Sequence, residues 1–77
     1  MQPFFFIRVP GKYVRLDFLD ILYAEGCRNY TRIVTQNRIY VVHITMKQVE
    51  QILPGTQFCR IHKSYIVALG QILEFDT

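Results

Sequence analysis

The longest uninterrupted apolar run in the sequence, Tyr65 to Leu69, is five residues long. A helix that crosses a bilayer needs about 20, so no membrane span of that kind is expected. The apolar stretches are short, rich in Val, Ile, Phe and Tyr, and separated by turn formers, which is the pattern of β-strands. Phe4 to Val9 is one such stretch. Behind it, Pro10-Gly11 offers a fixed φ followed by a residue free to take positive φ. Lys12 to Leu16, Ile21 to Glu25, Tyr30 to Thr35, Arg38 to Ile44, Phe58 to Ile61, Tyr65 to Leu69 and Gln71 to Phe75 read as further strands. Gln36-Asn37 can close a two-residue hairpin, because Asn tolerates the left-handed region. Asp17 to Asp20 reads as a helical turn in which both Asp side chains bond nearby backbone N–H groups.

One helix is signalled, over residues 45–53. Thr45-Met46-Lys47-Gln48 fits a capping box, with Ile44 and Val49 at the two staple positions. Met46, Val49, Ile52 and Leu53 make the apolar stripe of a helix laid on a sheet, and Pro54-Gly55 ends it. That stripe is core. The expected class is therefore mainly β, with small antiparallel sheets and one short helix.

A chain of 77 residues, 51% apolar and 14% aromatic, fits one domain over 1–77 and is too rich in aromatics for disorder. No basic-then-apolar leader is visible, which suggests a cytoplasmic protein. Cys27 and Cys59 are too few for a disulfide scaffold and read as buried structural thiols. Charge is placed unevenly. Residues 1–27 sum to zero, residues 28–63 to +5, and the tail from Ser64 to −2. A positive central segment favours a polyanionic partner, although a solvated mixed surface gives the same balance.

Enzyme chemistry finds little support. Cys59 and His62 lie three residues apart with no orienting Asn or Asp beside them. Cys27, Cys59, His43 and His62 lack the paired spacings of a zinc site, and the four Gly are too scattered for a phosphate loop. His43, in an alternating apolar stretch, reads as a satisfied sheet histidine, and His62 as one that holds Lys63 and Ser64 in a turn. No enzyme activity, metal, cofactor or small-molecule substrate is expected.

Two polar breaks in the β pattern carry the donors that nucleic acid uses. Gly26 to Arg32 contributes Arg28, Asn29, Tyr30, Thr31 and Arg32, and Arg60 to Ser64 contributes Lys63 and Ser64. Arg matches guanine and Asn matches adenine through paired hydrogen bonds, while Lys, Ser and Tyr reach phosphates. By residue type alone, Asn29 also suits a turn, and the Arg side chains also suit a plain solvated surface.

At these breaks the sequence resembles the LytTR DNA-binding domain, the output module of a class of bacterial two-component response regulators. The resemblance runs from near Phe6 to about Ile72. It rests on Asp20-Ile21-Leu22-Tyr23-Ala24-Glu25, on Gly26 to Tyr30, and on the helix ending Leu53-Pro54. Its most specific part is Phe58-Cys59-Arg60-Ile61-His62-Lys63-Ser64-Tyr65-Ile66-Val67, which matches the family's F-x-R-x-H-[RK]-S-[YF]-[IV]-V signature. Ala68 stands where the family commonly has Asn. The resemblance implies an elongated arrangement of small sheets with loops entering successive major grooves of duplex promoter DNA. Its DNA-binding positions fall on Arg28, Asn29, Tyr30 and Thr31, with Arg32 beside them, and on Lys63 between His62 and Ser64. It also implies an upstream receiver domain and a further C-terminal segment, so the chain reads as C-terminally truncated, with an open edge at which a second copy could pair. The competing reading is a β-rich interaction or dimerisation module whose basic turns bind acidic protein.

Overall fold

The computed structural model describes residues 2–74. The elements in chain order are β1 (Phe4–Val9), β2 (Lys12–Asp17), a 3-10 turn (Phe18–Asp20), β3 (Ile21–Cys27), β4 (Tyr30–Thr35), β5 (Ile39–Val42), α1 (Met46–Ile52), β6 (Phe58–His62) and β7 (Tyr65–Ala68). β1 and β2 form a two-stranded antiparallel sheet around Pro10-Gly11, where Gly11 takes φ +82°. The other strands form one antiparallel sheet in the order β5-β4-β3-β7-β6. The molecule measures 35 × 27 × 23 Å.

Strand alternation sorts the large sheet into two faces. Ala24 pairs in register with Ile33 on one side and Ile66 on the other, and all three are buried. On this face Val49 of α1, Leu53 just after it, and Ile7 and Leu16 of the β1–β2 hairpin close the core. Phe18 joins the parts, stacking on Phe5 at 5.8 Å and meeting Phe58 edge-on at 6.2 Å. Each such side chain, fully buried, contributes about 1.5–3 kcal/mol. The opposite face carries Glu25 and Tyr23 of β3, Arg32 and Val34 of β4, and Tyr65 of β7.

The capping box forms as its sequence requires. The Gln48 amide donates to Thr45 Oγ1 at 3.2 Å, and the Thr45 amide donates to Gln48 Oε1 at 2.9 Å. The helix stops at Ile52, with the Leu53 amide donating to the Val49 carbonyl. Thr35 and Arg38 bracket the Gln36-Asn37 turn through the Thr35 amide and hydroxyl, each donating to the Arg38 carbonyl at 2.8 Å.

Four details differ from the sequence reading. The 3-10 turn forms, but Asp17 makes no side-chain cap; the Phe18 amide donates instead to the Pro3 carbonyl at 2.9 Å. β5 is shorter than expected, because Thr31 binds the Ile44 carbonyl and bends the chain toward α1. Residues 71–74 form no strand; the Gln71 and Ile72 amides turn back onto the Ala68 carbonyl. Phe75, the expected end of that strand, lies outside the described residues. Cys59 is exposed rather than buried, because it sits on β6 at the edge of the sheet, opposite Val67; Cys27 is half-buried.

Candidate nucleic-acid interface

The first polar segment is mostly strand. β3 and β4 pair up to Cys27 and Tyr30, so only Arg28 and Asn29 form the turn. Gly26 does not break the strand. Its bare Cα admits Met46, whose Cγ would collide with any Cβ there. Arg28, rather than Asn29, takes the left-handed conformation, at φ +48°. Few non-glycine residues accept this, and such strain collects at functional turns. Arg28 and Asn29 are both exposed. Tyr30 is half-buried with its ring centroid 6.2 Å from that of His43, which stands exposed just beyond β5 rather than inside the sheet.

Thr31 leaves the contact set. It is 0% exposed, and its Oγ1 donates to the Ile44 carbonyl at 2.8 Å, tying β4 to the segment that leads into α1. Arg32 faces the outer side of the sheet, where its Nη1 meets Glu25 Oε1 at 2.5 Å. Glu25 Oε2 in turn accepts from the Tyr65 hydroxyl at 2.7 Å. The Tyr65 hydrogen bond, followed by Arg32, holds the Glu25 carboxyl below its ordinary value despite the opposing cost of burial. The same bond to Glu25 raises the Tyr65 phenol, and the Glu25 hydrogen bond raises Arg32.

The second polar segment is also a two-residue turn. His62 pairs with Tyr65, leaving Lys63 and Ser64 at the tip. The Ser64 amide donates to His62 Nδ1 at 3.1 Å, so the imidazole shapes the turn as an acceptor. Arg60 braces it from below. Its Nη2 donates to the Lys63 carbonyl at 2.6 Å, and its Nη1 pairs with Glu50 of α1 at 2.9 Å. Lys63 is exposed, and Ser64 is half-buried.

The two turns lie side by side. β3 runs antiparallel to β7, so the end of one meets the start of the other, and the Gly26 amide donates to the Ser64 carbonyl at 2.8 Å. The fold thus brings Arg28, Asn29, Tyr30, Lys63 and Ser64 to one end of the large sheet. Met46 beneath Gly26 brings the first turn of α1, including the exposed Lys47, to the same end. Arg38 closes the turn at the opposite end. Of the six basic residues between 28 and 63, Arg32 and Arg60 are paired with carboxylates. Arg28 and Lys63 have no ion pair among the described residues.

Glu25, Arg60 and His43 thus shape the site without having been singled out for it. A hairpin centred on Arg28-Asn29 places Glu25 opposite Arg32, a signal open to any reading that takes Gly26 as strand rather than break. Among the described residues, no three His, Cys, Asp or Glu side chains are grouped to hold a metal ion, and no helix is long and apolar enough to cross a membrane.

The chain is similar to known proteins. The chain is 30% identical over 64 residues to the heme-containing CO-sensing transcriptional regulator RcoM 2 of Paraburkholderia xenovorans, covering 83% of this chain and 24% of that protein. It is 30% identical over 70 residues to the sensory transduction protein LytT of Bacillus subtilis, covering 91% and 29%. The chain therefore spans about a quarter of the length of these relatives. Its fold matches the LytTr DNA-binding domain of a putative methyl-accepting/DNA response regulator from Bacillus cereus, with a TM-score of 0.80 at 19% identity, over 96% of this chain and 68% of that one. With the LytTr DNA-binding domain model matching residues 11–77, the chain belongs to the LytTR family of DNA-binding domains.

Proposed function

We propose that this chain is the duplex-DNA-reading domain of a bacterial, cytoplasmic transcriptional regulator, acting as the output of a two-component response regulator. The observation that carries the reading is the hydrogen bond from Gly26 to Ser64, which fastens the end of β3, just before the basic Arg28-Asn29 turn, to the basic Lys63-Ser64 turn. Similarity to a protein named for sensory transduction supports the signalling role.

In this reading Arg28 and Lys63 neutralise phosphates, Asn29 reads a base edge, and Tyr30 and Ser64 add backbone contacts. Adjacent strands lie about 4.8 Å apart, so turns two strands apart are centred roughly 10 Å apart. That spacing fits one major groove, about 12 Å wide, with its bordering phosphates. It falls well short of the roughly 34 Å between successive grooves. A second copy would pair at an open edge, β5 or β6.

The test is a polarisation titration of labelled duplex across salt. With Arg28, Lys63 and Lys47 as the cations available at this end, log affinity should fall against log salt with a slope of about −2 to −3. A slope near −5 would mean that every net charge between residues 28 and 63 counts. Salt-independent affinity would overturn the DNA reading in favour of an interaction module.

A further inference from the structure

Three polar side chains line up across the outer face of the sheet, one from each of three adjacent strands. Glu25 on β3 stands in register with Arg32 on β4 and with Tyr65 on β7. Its two carboxylate oxygens are divided between them, Oε1 to the guanidinium and Oε2 to the phenol. Tyr65 therefore fixes the carboxylate from one side while the carboxylate fixes Arg32 from the other. The guanidinium is drawn sideways over β3, across the strands, and not along β4 toward the Arg28-Asn29 turn. It is not locked away, however: the Arg32 side chain keeps 35% of its exposure and Glu25 keeps 23%.

We propose that Glu25 is a specificity-determining residue, which holds Arg32 off the phosphate backbone and so restrains sequence-independent binding. The proposal rests on the DNA-binding reading above. Phosphate contacts add affinity without sequence information. In a specific complex the two joined turns set the pose, and a free Arg32 gains only what that pose allows. In a non-specific complex the chain takes whichever pose meets most phosphates, and a free guanidinium joins in. Tethering Arg32 therefore lowers background binding more than specific binding. Glu25, a carboxylate beside a DNA-binding turn, separates the two affinities through a cation it withholds.

The experiment uses the 77-residue chain with two probes, a duplex selected by the wild-type chain from a randomised library and a scrambled duplex of the same composition. Glu25→Gln keeps an acceptor for Tyr65 while removing the charge that holds Arg32. It should tighten binding to the scrambled duplex and steepen its salt slope by about 0.9, the share of one further phosphate. Its gain over wild type should then be about 3.5-fold larger at 50 mM than at 200 mM salt. The ratio of selected to scrambled affinity should shrink. Arg32→Gln should leave the wild-type slope unchanged, and adding it to Glu25→Gln should restore that slope.

An unchanged slope in Glu25→Gln would overturn the proposal, as would a shallower slope in Arg32→Gln, which would show Arg32 already on phosphate. Weaker binding to both duplexes at constant slope would make Glu25 merely structural and would also overturn it. Should Glu25→Gln fail to fold by circular dichroism, Arg32→Gln alone decides by the same slope criterion. A wild-type chain that binds neither duplex sinks the DNA reading itself. Wild-type binding with unaltered variants sinks only the role of Glu25.

Discussion

Arg28 meets two demands that oppose each other. Its backbone, at φ +48°, suits glycine, while its position at the tip of a turn suits a cation. A left-handed conformation costs an L-residue about 1–2 kcal/mol, and glycine returns part of that through its own loss of freedom. Arg28→Gly should therefore hold or raise stability by up to about 1 kcal/mol in urea unfolding, while weakening duplex binding and flattening the salt slope by about one. A loss of stability would show that the Arg28 side chain is part of the packing. Asn29 is free of the backbone demand, since its φ is not positive. Asn29→Ala should leave stability within about 0.5 kcal/mol. It should reduce discrimination between selected and scrambled duplex by about 1–3 kcal/mol. Lys63→Ala should weaken both duplexes alike, because an ammonium is a point charge that positions more than it specifies. Equal losses in the two variants would remove base reading from Asn29. Residue type singled out Arg28, Asn29 and Lys63 in the sequence, and the fold leaves all three exposed. It misled at Thr31, which lies between Tyr30 and Arg32 in a strand and so points to the opposite face from both.

At the scale of elements, α1 underlies both turns. Met46 fills the space left by Gly26 under the first, and Glu50 holds Arg60, which holds the second. Gly26→Ala should destabilise the fold by about 1–3 kcal/mol through crowding of Met46. Because Met is adaptable, and Ala would remove the collision altogether, the loss should shrink in a Met46→Ala background. A strictly additive double-mutant cycle would rule out the contact as the cause. Short strands, their turns and the capped helix were legible, because alternation and turn chemistry are local. The partners of Gly26, Glu25 and Arg60 were not, because each depends on which strands become neighbours. The sequence order β3, β4, β5, α1, β6, β7 does not announce that β7 returns beside β3. The strand expected after Leu69 had the right composition, but the chain turns back at Ala68 to cover Phe18's side of the core, where Gln71 Nε2 donates to the Leu19 carbonyl.

For the whole molecule, the Glu25 cluster predicts how stability responds to pH. The folded carboxyl titrates below its ordinary 4.5, so its contribution is present above that value and is lost as pH falls through the lowered one. Between about pH 7 and about pH 3, wild type should lose more thermal stability than Glu25→Gln. Parallel losses would remove the cluster from the acid response. Tyr65 has the opposite sign: the contribution of its raised phenol is fully present below 10.0 and is lost as pH rises through the raised value. Another consequence follows from the hydrogen bond between Gly26 and Ser64. A turn bonded to the strand that carries the other turn cannot wander separately from it, so little ordering entropy remains to be lost when the two meet a ligand. The Gly26 amide then serves as a native reporter. Its hydrogen exchange should be as slow as that of the central strands in the free chain, opening only with the sheet itself. A fast-exchanging Gly26 would mean that the domain binds with loosely jointed turns, and that recognition begins with their assembly.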